Sequence, residues 1–546
     1  MLRALTLTLL CVPACMSSRP SQPAPVTVPE SSGYHKTSSH ADVLEFLRQV
    51  RLAQDPRVVV SRFGTSSEGR ELPLVIVADP TVQTPEEARA SGKPVVFVMA
   101  NIHAGEVEGK EAVLQLLRDV VWGAPGPDGE LADPWPVDQL VTLIAPIYNA
   151  DGNDRFGPKN RPLQQGPDTA GQRANAQGLD LNRDALKLES PEARALARLY
   201  CEWDPLLFVD LHTTDGSAHG YDLTYAGPLN PSVHPGILHA EQQDWLPELR
   251  ARVRDRDGFE LYDYGNFLEE GEFKDEVDTV SGWRTFDHRP RFGTNEYGLR
   301  NRFAILSEAY SYADFPTRIA ATKAFVREIL NMAAERGDDL IALCHRADQE
   351  TVAQARQGEL RQFTGAELVS RGDEPVLLRA FHITPNATTG EDERVADGER
   401  TTVTIPAFVQ FEGTGPLSAP RAYYLPPASA DFDPAAVIEV LRTHGVRLEA
   451  VAEAREAQVD VFTVRDTSAA AEEYQKHHER KASFDVAPQR RALPAGTLRV
   501  PVDQPLGRLV FQALDPRADD GLLVWDFFDG VVAKGPGTEL PLYAER

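Results

Sequence analysis

Four short apolar segments, each ending in polar side chains, constrain the fold of this 546-residue chain most strongly. They are PVVFVMANIH (residues 94–103), VTLIAPIYNADG (141–152), PLLFVDLHTT (205–214) and RFAILSEAY (302–310). Segments this short and this rich in Val, Ile and Phe are typical of strands buried on both faces of a parallel sheet. We therefore predict that these four segments lie together in one sheet.

Helical patterns separate these strands along the chain. Residues 108–122 repeat apolar side chains along one helical face, and residues 314–337 follow the last strand with a second helical pattern. Residues 190–203 begin with Ser190 as an N-cap and Pro191 at the first helical position. The alternation predicts an α/β fold with a mixed, largely parallel sheet flanked by helices.

Titratable side chains stand where the predicted strands end. In open α/β sheets, ligands bind beyond the carboxyl ends of the strands. We therefore expect one site at this sheet edge, assembled from the polar residues that end the four strands: His103, Asn149, Asp151, Asp210, His212 and Glu308.

A metal is the first interpretation of this edge. A catalytic zinc takes three protein ligands and keeps a fourth position for water. His103 and Glu106 form a His-x-x-Glu pair after one strand, and His212 ends another. The spacing alone leaves two alternatives open: His103 could be an exposed histidine beside an acidic helix start, and Glu108 could replace Glu106 as the ligand.

Glu308 is the candidate for proton transfer. A hydrolytic metal site needs a carboxylate that takes a proton from water and hands it to the leaving group. A glutamate on an otherwise apolar strand is costly to bury unless it is paired or used. The structural alternative is an ion pair with Arg300 or Arg302.

Six motifs in order together resemble the zinc carboxypeptidase family, the metallocarboxypeptidases of the carboxypeptidase A/B and D/E types, over residues 39–335. They are FGTSSEGREL (63–72), HAGE (103–106), YNADG (148–152), GQRANAQGLDLNRD (171–184), DLHT (210–213) and ILSEAYSY (305–312).

The resemblance implies roles for the catalytic residues. His103, Glu106 and His212 would bind zinc, and Glu308 would act as general base and then as general acid. Arg173 would polarise the scissile carbonyl and stabilise the oxyanion. A carboxylate or carbonyl normally orients each zinc-bound histidine, and for His103 the resemblance assigns that role to Asp180.

The resemblance also implies which residues bind the substrate. Asn182 and Arg183 would hold the free carboxylate of the substrate, since an arginine fork suits bidentate carboxylate binding. Tyr297 is the candidate for the family's mobile tyrosine, although it lies closer to Glu308 than is typical. Asp184 replaces the usual asparagine and adds negative charge near the carboxylate site.

The implied enzyme is a zinc metallocarboxypeptidase that hydrolyses the C-terminal amide bond of peptides by Glu-assisted attack of zinc-bound water. Its substrate would be a peptide or cell-wall peptide. An alternative is a zinc amide hydrolase of the aspartoacylase or succinylglutamate desuccinylase type, which acts on small acylated amino acids. A non-catalytic binding protein on the same scaffold is a third hypothesis.

The N-terminus predicts export. Residues 1–15, MLRALTLTLLCVPAC, resemble a bacterial lipoprotein signal with lipidation at Cys15, and too few of them are apolar to span a bilayer. The expected location is the outer membrane or cell envelope, with membrane contact only through the lipid. The alternative is an ordinary secretory signal and a periplasmic or secreted protein. Residues 16–40 are rich in Pro and Ser and predict a flexible linker.

The remaining chain divides into a catalytic domain, residues 41–340, and a mixed or β-rich accessory domain, residues 345–546. Within the latter, residues 506–530 are interpreted as short strands with aromatic side chains. The net charge of −26 argues against nucleic acid as a partner. Whether Cys201 and Cys344 pair stays open, as does the oligomeric state.

Overall fold

The structure of the chain is a computed structural model, and it describes residues 19–20, 22–125, 131–214, 217–268 and 280–546. The predicted signal segment and Cys15 lie outside the described residues. No helix among the described residues is both long enough and apolar enough to cross a bilayer.

Among the residues that the structure describes, the N-terminal two thirds of the chain contribute twelve strands, eight of which build the main sheet. They are β1 (Val58–Thr65), β2 (Glu71–Val77), β3 (Val95–Ala100), β4 (Ala124–Pro125), β5 (Leu131–Ala132), β6 (Val141–Ala145), β7 (Leu207–Thr213), β8 (Leu223–Ala226), β9 (Leu261–Asp263), β10 (Asn266–Phe267), β11 (Trp283–Arg284) and β12 (Phe303–Ala309).

The four predicted strands are β3, β6, β7 and β12, and they are neighbours at the centre of the sheet. The order across the sheet is β1-β2-β6-β3-β7-β12-β8-β9. The central strands run parallel to one another, whereas β2 and β8 join them antiparallel. The predicted mixed, largely parallel sheet is confirmed, and the carboxyl ends of β3, β7 and β12 meet at one edge.

Helices cover both faces of this sheet. They are α1 (Val28–Ser31), α2 (His40–Leu52), α3 (Pro85–Ser91), α4 (Glu108–Trp122), α5 (Ala150–Asn153), α6 (Pro191–Trp203), α7 (Pro235–His239), α8 (Leu246–Asp257), α9 (Gly293–Gly298), α10 (Phe315–Glu335) and α11 (Gly337–Gln357).

Two buried apolar layers separate helices from sheet, because successive side chains of a strand point to opposite faces. Helices α2, α4, α8 and α10 pack on one face, and α3, α6 and α9 pack on the other. Helix α6 begins as predicted: the Ser190 hydroxyl accepts a hydrogen bond from the Ala193 amide, and Pro191 is the first helical residue.

The predicted flexible linker is wrong for the described residues between 19 and 40. Arg118 of α4 forms an ion pair with Glu30 at 2.7 Å, and the Trp122 indole donates to the Gln22 carbonyl at 3.0 Å. Thr27 and Glu30 form a capping box at the start of α1. Side-chain partners on α4 therefore hold a segment whose own composition favours flexibility.

The predicted domain boundary at residues 340–345 falls inside α11. This helix belongs to the catalytic region, since Cys344 is fully buried and Asp348 forms an ion pair with Arg302 at 3.1 Å. The region predicted to be catalytic therefore packs as one unit with α11, which ends at Gln357. Cys201 and Cys344 are not bonded to each other: Cys201 is an exposed thiol and Cys344 a buried one.

The C-terminal region is mixed and rich in strands, as predicted. Its elements are β13 (Arg361–Val369), β14 (Asp373–Arg379), β15 (His382–Pro385), β16 (Asp392–Val395), β17 (Arg400–Phe408), β18 (Gln410–Ser418), β19 (Ala422–Leu425), α12 (Ala435–Thr443), β20 (Glu449–Ala450), β21 (Arg455–Ala469), β22 (Arg480–Leu493), β23 (Leu498–Pro501), α13 (Gly507–Leu514), α14 (Asp529–Val532) and β24 (Glu539–Glu545).

This region is built onto the catalytic region. Strands β14 and β17 complete a four-stranded sheet with β10 and β11, and a six-stranded sheet runs β20-β23-β19-β24-β21-β22. The prediction of strands for residues 506–530 is wrong, because they form α13 and α14. Every residue of α13 is buried, and its two polar side chains, Arg508 and Gln512, donate hydrogen bonds to Ser232 instead of facing solvent.

Candidate active site

His212 and Glu308 are brought together by strand register. Strands β7 and β12 are parallel, and His212 lies opposite Glu308 in the pairing. Side chains at paired positions point to the same face of a sheet. Glu308 is half-buried, so solvent and substrate reach a carboxylate next to the histidine.

His103, Glu106 and His212 form a compact, buried cluster. Their ligand atoms all lie within 4.8 Å of one another. Nδ1 of His103 is 2.8 Å from Oε1 of Glu106, and Nδ1 of His212 is 3.0 Å from Oε2 of the same carboxylate. The two Nδ1 atoms are 3.3 Å apart. Two imidazoles and a carboxylate directed at one point are a donor set that suits zinc.

The other ring nitrogen of each histidine faces a carboxylate. Nε2 of His103 lies 3.1 Å from Oδ1 of Asp180, and Nε2 of His212 lies 3.0 Å from Oδ2 of Asp210. Such carboxylates fix the tautomer of a metal-binding histidine and raise the basicity of its free nitrogen. This arrangement supports the fit of a metal to the cluster independently of the three ligands.

Electrostatics in the cluster favour the charged form of the carboxylates. Burial alone would raise the pKa of Glu106, but His103, His212 and Arg161 hold it well below its usual range. Burial opposes charge on His212 as well, yet Asp210 and Glu106 raise its pKa well above the usual value. The Glu106 carboxylate is therefore in its ionised form, which is the form that binds a metal.

The choice between Glu106 and Glu108 is decided by side-chain direction. Oε1 of Glu108 accepts hydrogen bonds from the Thr213 hydroxyl at 2.6 Å and from Nε of Arg318 at 3.1 Å. Both Glu108 and Arg318 are fully buried. Glu108 is therefore part of a separate buried ion pair, and Glu106 is the carboxylate that lies with His103 and His212 in the candidate metal site.

Arg300 and Arg302, the two arginines considered as partners of Glu308, pair with other carboxylates. Arg300 donates to Glu296 at 2.8 Å, and Arg302 forms an ion pair with Asp204 at 2.8 Å. Arg302 precedes β12, whereas Glu308 is near its carboxyl end, about 20 Å further along an extended strand.

Two arginines approach the metal cluster. Nε of Arg173 donates to Oδ2 of Asp180 at 3.0 Å, and its Nη1 lies 3.5 Å from Oε1 of Glu106. Arg173 is 43% exposed, so its guanidinium is accessible to a substrate. Nη1 of Arg161 donates to Glu106 at 3.2 Å. Gly105 leaves room for Arg161, because a Cβ there would lie 2.6 Å from the Arg161 side chain.

Residues 43–253 match the sequence model of the zinc carboxypeptidase family. This segment of the chain resembles zinc carboxypeptidases. The match contains His103, Glu106 and His212 and ends before Glu308. A search of curated proteins finds no match.

Solved structures of carboxypeptidases are also similar to this chain. A metallo-carboxypeptidase from Burkholderia cenocepacia is 18% identical over 54% of this chain and 70% of that one, with a TM-score of 0.39. A metallo-carboxypeptidase from Pseudomonas aeruginosa is 19% identical over 56% and 71%, with a TM-score of 0.37. Carboxypeptidase A from Helicoverpa armigera is 16% identical over 57% and 74%, with a TM-score of 0.36.

Asn182 and Arg183 lie on a 3₁₀ turn, Leu181–Arg183, that directly follows Asp180. Asp180, which contacts His103, accepts a hydrogen bond from the Asn182 amide at 2.9 Å. The Asn182 side chain accepts from the Gly293 amide at 3.0 Å, and the Arg183 guanidinium lies 4.0 Å above the Phe292 ring. Both residues are thus held in place.

Asp184 does not add charge to the carboxylate site. It is fully buried and accepts hydrogen bonds from Nζ of Lys187 at 3.1 Å and from the Ser190 amide at 2.8 Å. Lys187 therefore neutralises the Asp184 carboxylate, which we expected to add negative charge near the carboxylate site.

The prediction that Tyr297 binds substrate is contradicted. Tyr297 is 1% exposed, and its hydroxyl donates to the Pro205 carbonyl at 2.5 Å, just before the amino end of β7. Its ring packs against Tyr200 and Phe208. Helix α9 directs the side chain into the core, at the opposite end of β7 from His212.

Sequence reasoning missed Arg161, which contacts the cluster, and it placed Asp210 at the site without giving it a role. Asp210 had a usable signal: it stands two residues before His212 on a strand, so both side chains share one face. Arg161 lies between predicted elements, and no local pattern indicates its contact with Glu106.

Proposed function

We propose that the protein removes the C-terminal residue of peptides by hydrolysing the last amide bond. The observation that carries the proposal is the placement of Arg183 on the Leu181–Arg183 turn, which directly follows Asp180, the residue that contacts His103. A cationic fork beside the metal cluster is suited to a substrate whose free carboxylate is next to the scissile bond.

Three side chains would hold the metal. His103, Glu106 and His212 supply the ligands, and Asp180 and Asp210 orient the two histidines. When bound there, zinc supplies a Lewis acid and lowers the pKa of a bound water. The buried position of all three ligands keeps their geometry constant during the reaction.

Glu308 transfers the proton. Its carboxylate accepts a proton from the attacking water and delivers it to the leaving nitrogen. Strand pairing with β7 holds it next to His212. Arg173 donates to the oxygen that becomes negatively charged when the carbonyl is attacked, and a donor already in place costs no reorganisation.

A matched pair of peptides tests the proposal. The purified protein is incubated with one peptide as the free acid and as the C-terminal amide, and the products are identified by mass spectrometry. We expect stepwise loss of C-terminal residues from the free acid alone. Equal cleavage of the amide would refute carboxypeptidase action, and cleavage only of small N-acyl amino acids would favour the amide hydrolase.

We further propose that the protein is exported and held at the cell envelope by lipid on Cys15, where cell-wall peptides are available as substrates. Residues 1–15 support this proposal by their resemblance to a lipoprotein signal. Arg19 contacts Asp133 at 3.1 Å. Arg19 is four residues after Cys15, and four residues span no more than about 14 Å. A lipid on Cys15 would therefore keep the catalytic region close to the membrane surface.

A further inference from the structure

The segment that joins β21 to β22, residues 470–479, reaches from the C-terminal region to the substrate-binding turn. We call it the β21–β22 loop. Oε1 of Gln475 accepts a hydrogen bond from the Asp180 amide at 2.8 Å, and the Tyr474 hydroxyl accepts one from Nε of Arg183 at 3.0 Å. The loop therefore contacts both the residue that orients His103 and the arginine proposed to bind the substrate carboxylate.

The loop holds a defined shape. Tyr474 and His477 exchange two backbone hydrogen bonds, of 2.8 and 3.0 Å. Gln475 and Lys476 between them have positive φ angles of 52° and 68°, a conformation that non-glycine residues adopt only when the surroundings enforce it. These two residues form the tip of the loop, at the point where it meets Asp180.

Packing beneath the tip fixes its position. The Tyr474 ring stacks on Trp525, which is 1% exposed, at a centroid distance of 6.3 Å. The Arg291 guanidinium lies 4.5 Å from the Trp525 ring centroid and is paired with Asp520. On the far side, Nε2 of His477 is 2.7 Å from Oε1 of Glu189. The loop is thus fastened to both regions of the chain.

Arg183 is held on several sides. Its guanidinium lies over Phe292, its Nη1 donates to the Asn182 carbonyl at 2.8 Å, and its Nε donates to Tyr474. Among the residues that the structure describes, none accepts a hydrogen bond from Nη2. A free arginine side chain loses much rotamer freedom when it binds a ligand, and one already held in place loses less.

We propose that the C-terminal region completes the carboxylate subsite: Tyr474 is a positioning residue that presents Arg183 to the substrate, and Gln475 anchors the turn that carries it. This proposal rests on the proposed function of Arg183. It assigns the C-terminal region a part in substrate binding, with Nη2 of Arg183 left for a carboxylate oxygen.

The first test is Tyr474→Phe, which removes only the hydroxyl and keeps the stacking on Trp525. We expect KM for a free-acid peptide to rise by roughly three- to thirtyfold, the effect of one hydrogen bond to a charged group, with kcat nearly unchanged. Tyr424→Phe is the matched control, because the Tyr424 hydroxyl also accepts from an arginine, Arg455, but lies away from the site. It should behave as wild type.

A double-mutant cycle shows whether Tyr474 acts through Arg183. If it does, Tyr474→Phe should have no further effect on KM in an Arg183→Ala protein. Gln475→Ala is the independent second variant and should also raise KM for the free acid. Thermal unfolding of each variant checks that it is folded.

The outcomes separate this proposal from the proposed function. If Arg183→Ala raises KM but Tyr474→Phe and Gln475→Ala leave it at the wild-type value, the role of the loop is refuted and carboxypeptidase action stands. If additive effects appear in the cycle, Tyr474 does not act through Arg183 and the proposal is also overturned. Equal wild-type cleavage of acid and amide peptides would instead refute the proposed function itself.

Discussion

His212 and Glu308 lie opposite each other on the parallel strands β7 and β12. The register of the sheet thereby places the proposed metal ligand and the proposed proton-transfer group side by side. Because both side chains are carried by regular strands of the buried core, their separation does not depend on a loop. The roles of the two residues are separable by mutation.

Glu308→Gln keeps the size of the side chain but cannot accept a proton from water. We expect kcat to fall by about a hundredfold to ten-thousandfold, with zinc content unchanged. Steady-state kinetics measures kcat, and elemental analysis of the same preparation measures the zinc content. Glu412→Gln, an exposed glutamate on β18, serves as control. Near wild-type turnover in Glu308→Gln would show that the mechanism is assigned to the wrong residue.

The double variant His103→Ala/His212→Ala should lose the metal, because only Glu106 of the three ligands remains. Elemental analysis should find one zinc per wild-type chain and little in the variant. The matched control is His345→Ala/His382→Ala, which removes two exposed histidines. Zinc at the wild-type level in the first variant would exclude this cluster as the site.

Asp210→Asn should weaken zinc binding while leaving all three ligands present. Removing a carboxylate that orients a metal-binding histidine typically lowers affinity by about tenfold to a hundredfold. Competition with a chelator of known affinity measures the change. Asp184→Asn alters another buried aspartate, one that contacts Lys187 and no ligand. It should keep wild-type zinc affinity, and an equal loss in both variants would point to a general effect on folding.

The two arginines at the site should differ kinetically. Arg183 contacts the carboxylate in ground and transition states alike, so Arg183→Ala should mainly raise KM and narrow the preference for free-acid over amidated peptides. Arg173 meets charge that develops during the reaction, so Arg173→Ala should mainly lower kcat, by roughly a hundredfold or more. Identical changes in KM and kcat for the two variants would contradict the separate roles.

The pair His477–Glu189 should make docking of the β21–β22 loop pH-dependent. Burial lowers the pKa of His477, but Glu189 raises it above the usual value overall. Burial raises the pKa of Glu189, but His477 and Lys187 lower it to about 2. The pair therefore stabilises the folded protein fully between about pH 4.3 and pH 6.5, the pKa values of the two groups in the unfolded chain. Its contribution falls as the pH rises through the folded pKa of His477.

His477→Gln tests this expectation. The loss in unfolding free energy, measured by denaturant titration, should be about 1 kcal/mol near pH 5.5 and smaller at pH 9. A loss that does not vary with pH would mean that the charge of His477 does not contribute to docking.

Lipidation is tested in cells. Cys15→Ser should release the protein from the membrane fraction, and globomycin, which blocks lipoprotein signal cleavage, should cause the precursor to accumulate. Since the catalytic region does not include Cys15, peptidase activity per molecule should be retained. The same membrane fractionation for wild type and Cys15→Ser would indicate simple secretion.

The sequence by itself determined the central strands, the helices between them and the two histidines of the metal cluster. Short apolar segments, the Ser190–Pro191 start of α6 and the His-x-x-Glu pair depend on residues close together in the chain, so they can be recognised without the fold. The parallel order of β3, β7 and β12 then follows from the connecting helices, and with it the meeting of His103, His212 and Glu308 at one edge.

Only the tertiary structure decided which carboxylate faces the metal cluster, where Tyr297 points and what Asp184 contacts. Glu106 and Glu108 lie two residues apart, and only the positions of Thr213 and Arg318 separate their roles. The contacts of Tyr474 and Gln475 with the substrate-binding turn join residues almost three hundred positions apart. Such contacts depend on how whole sheets pack together, and a local pattern in the sequence carries no record of that packing.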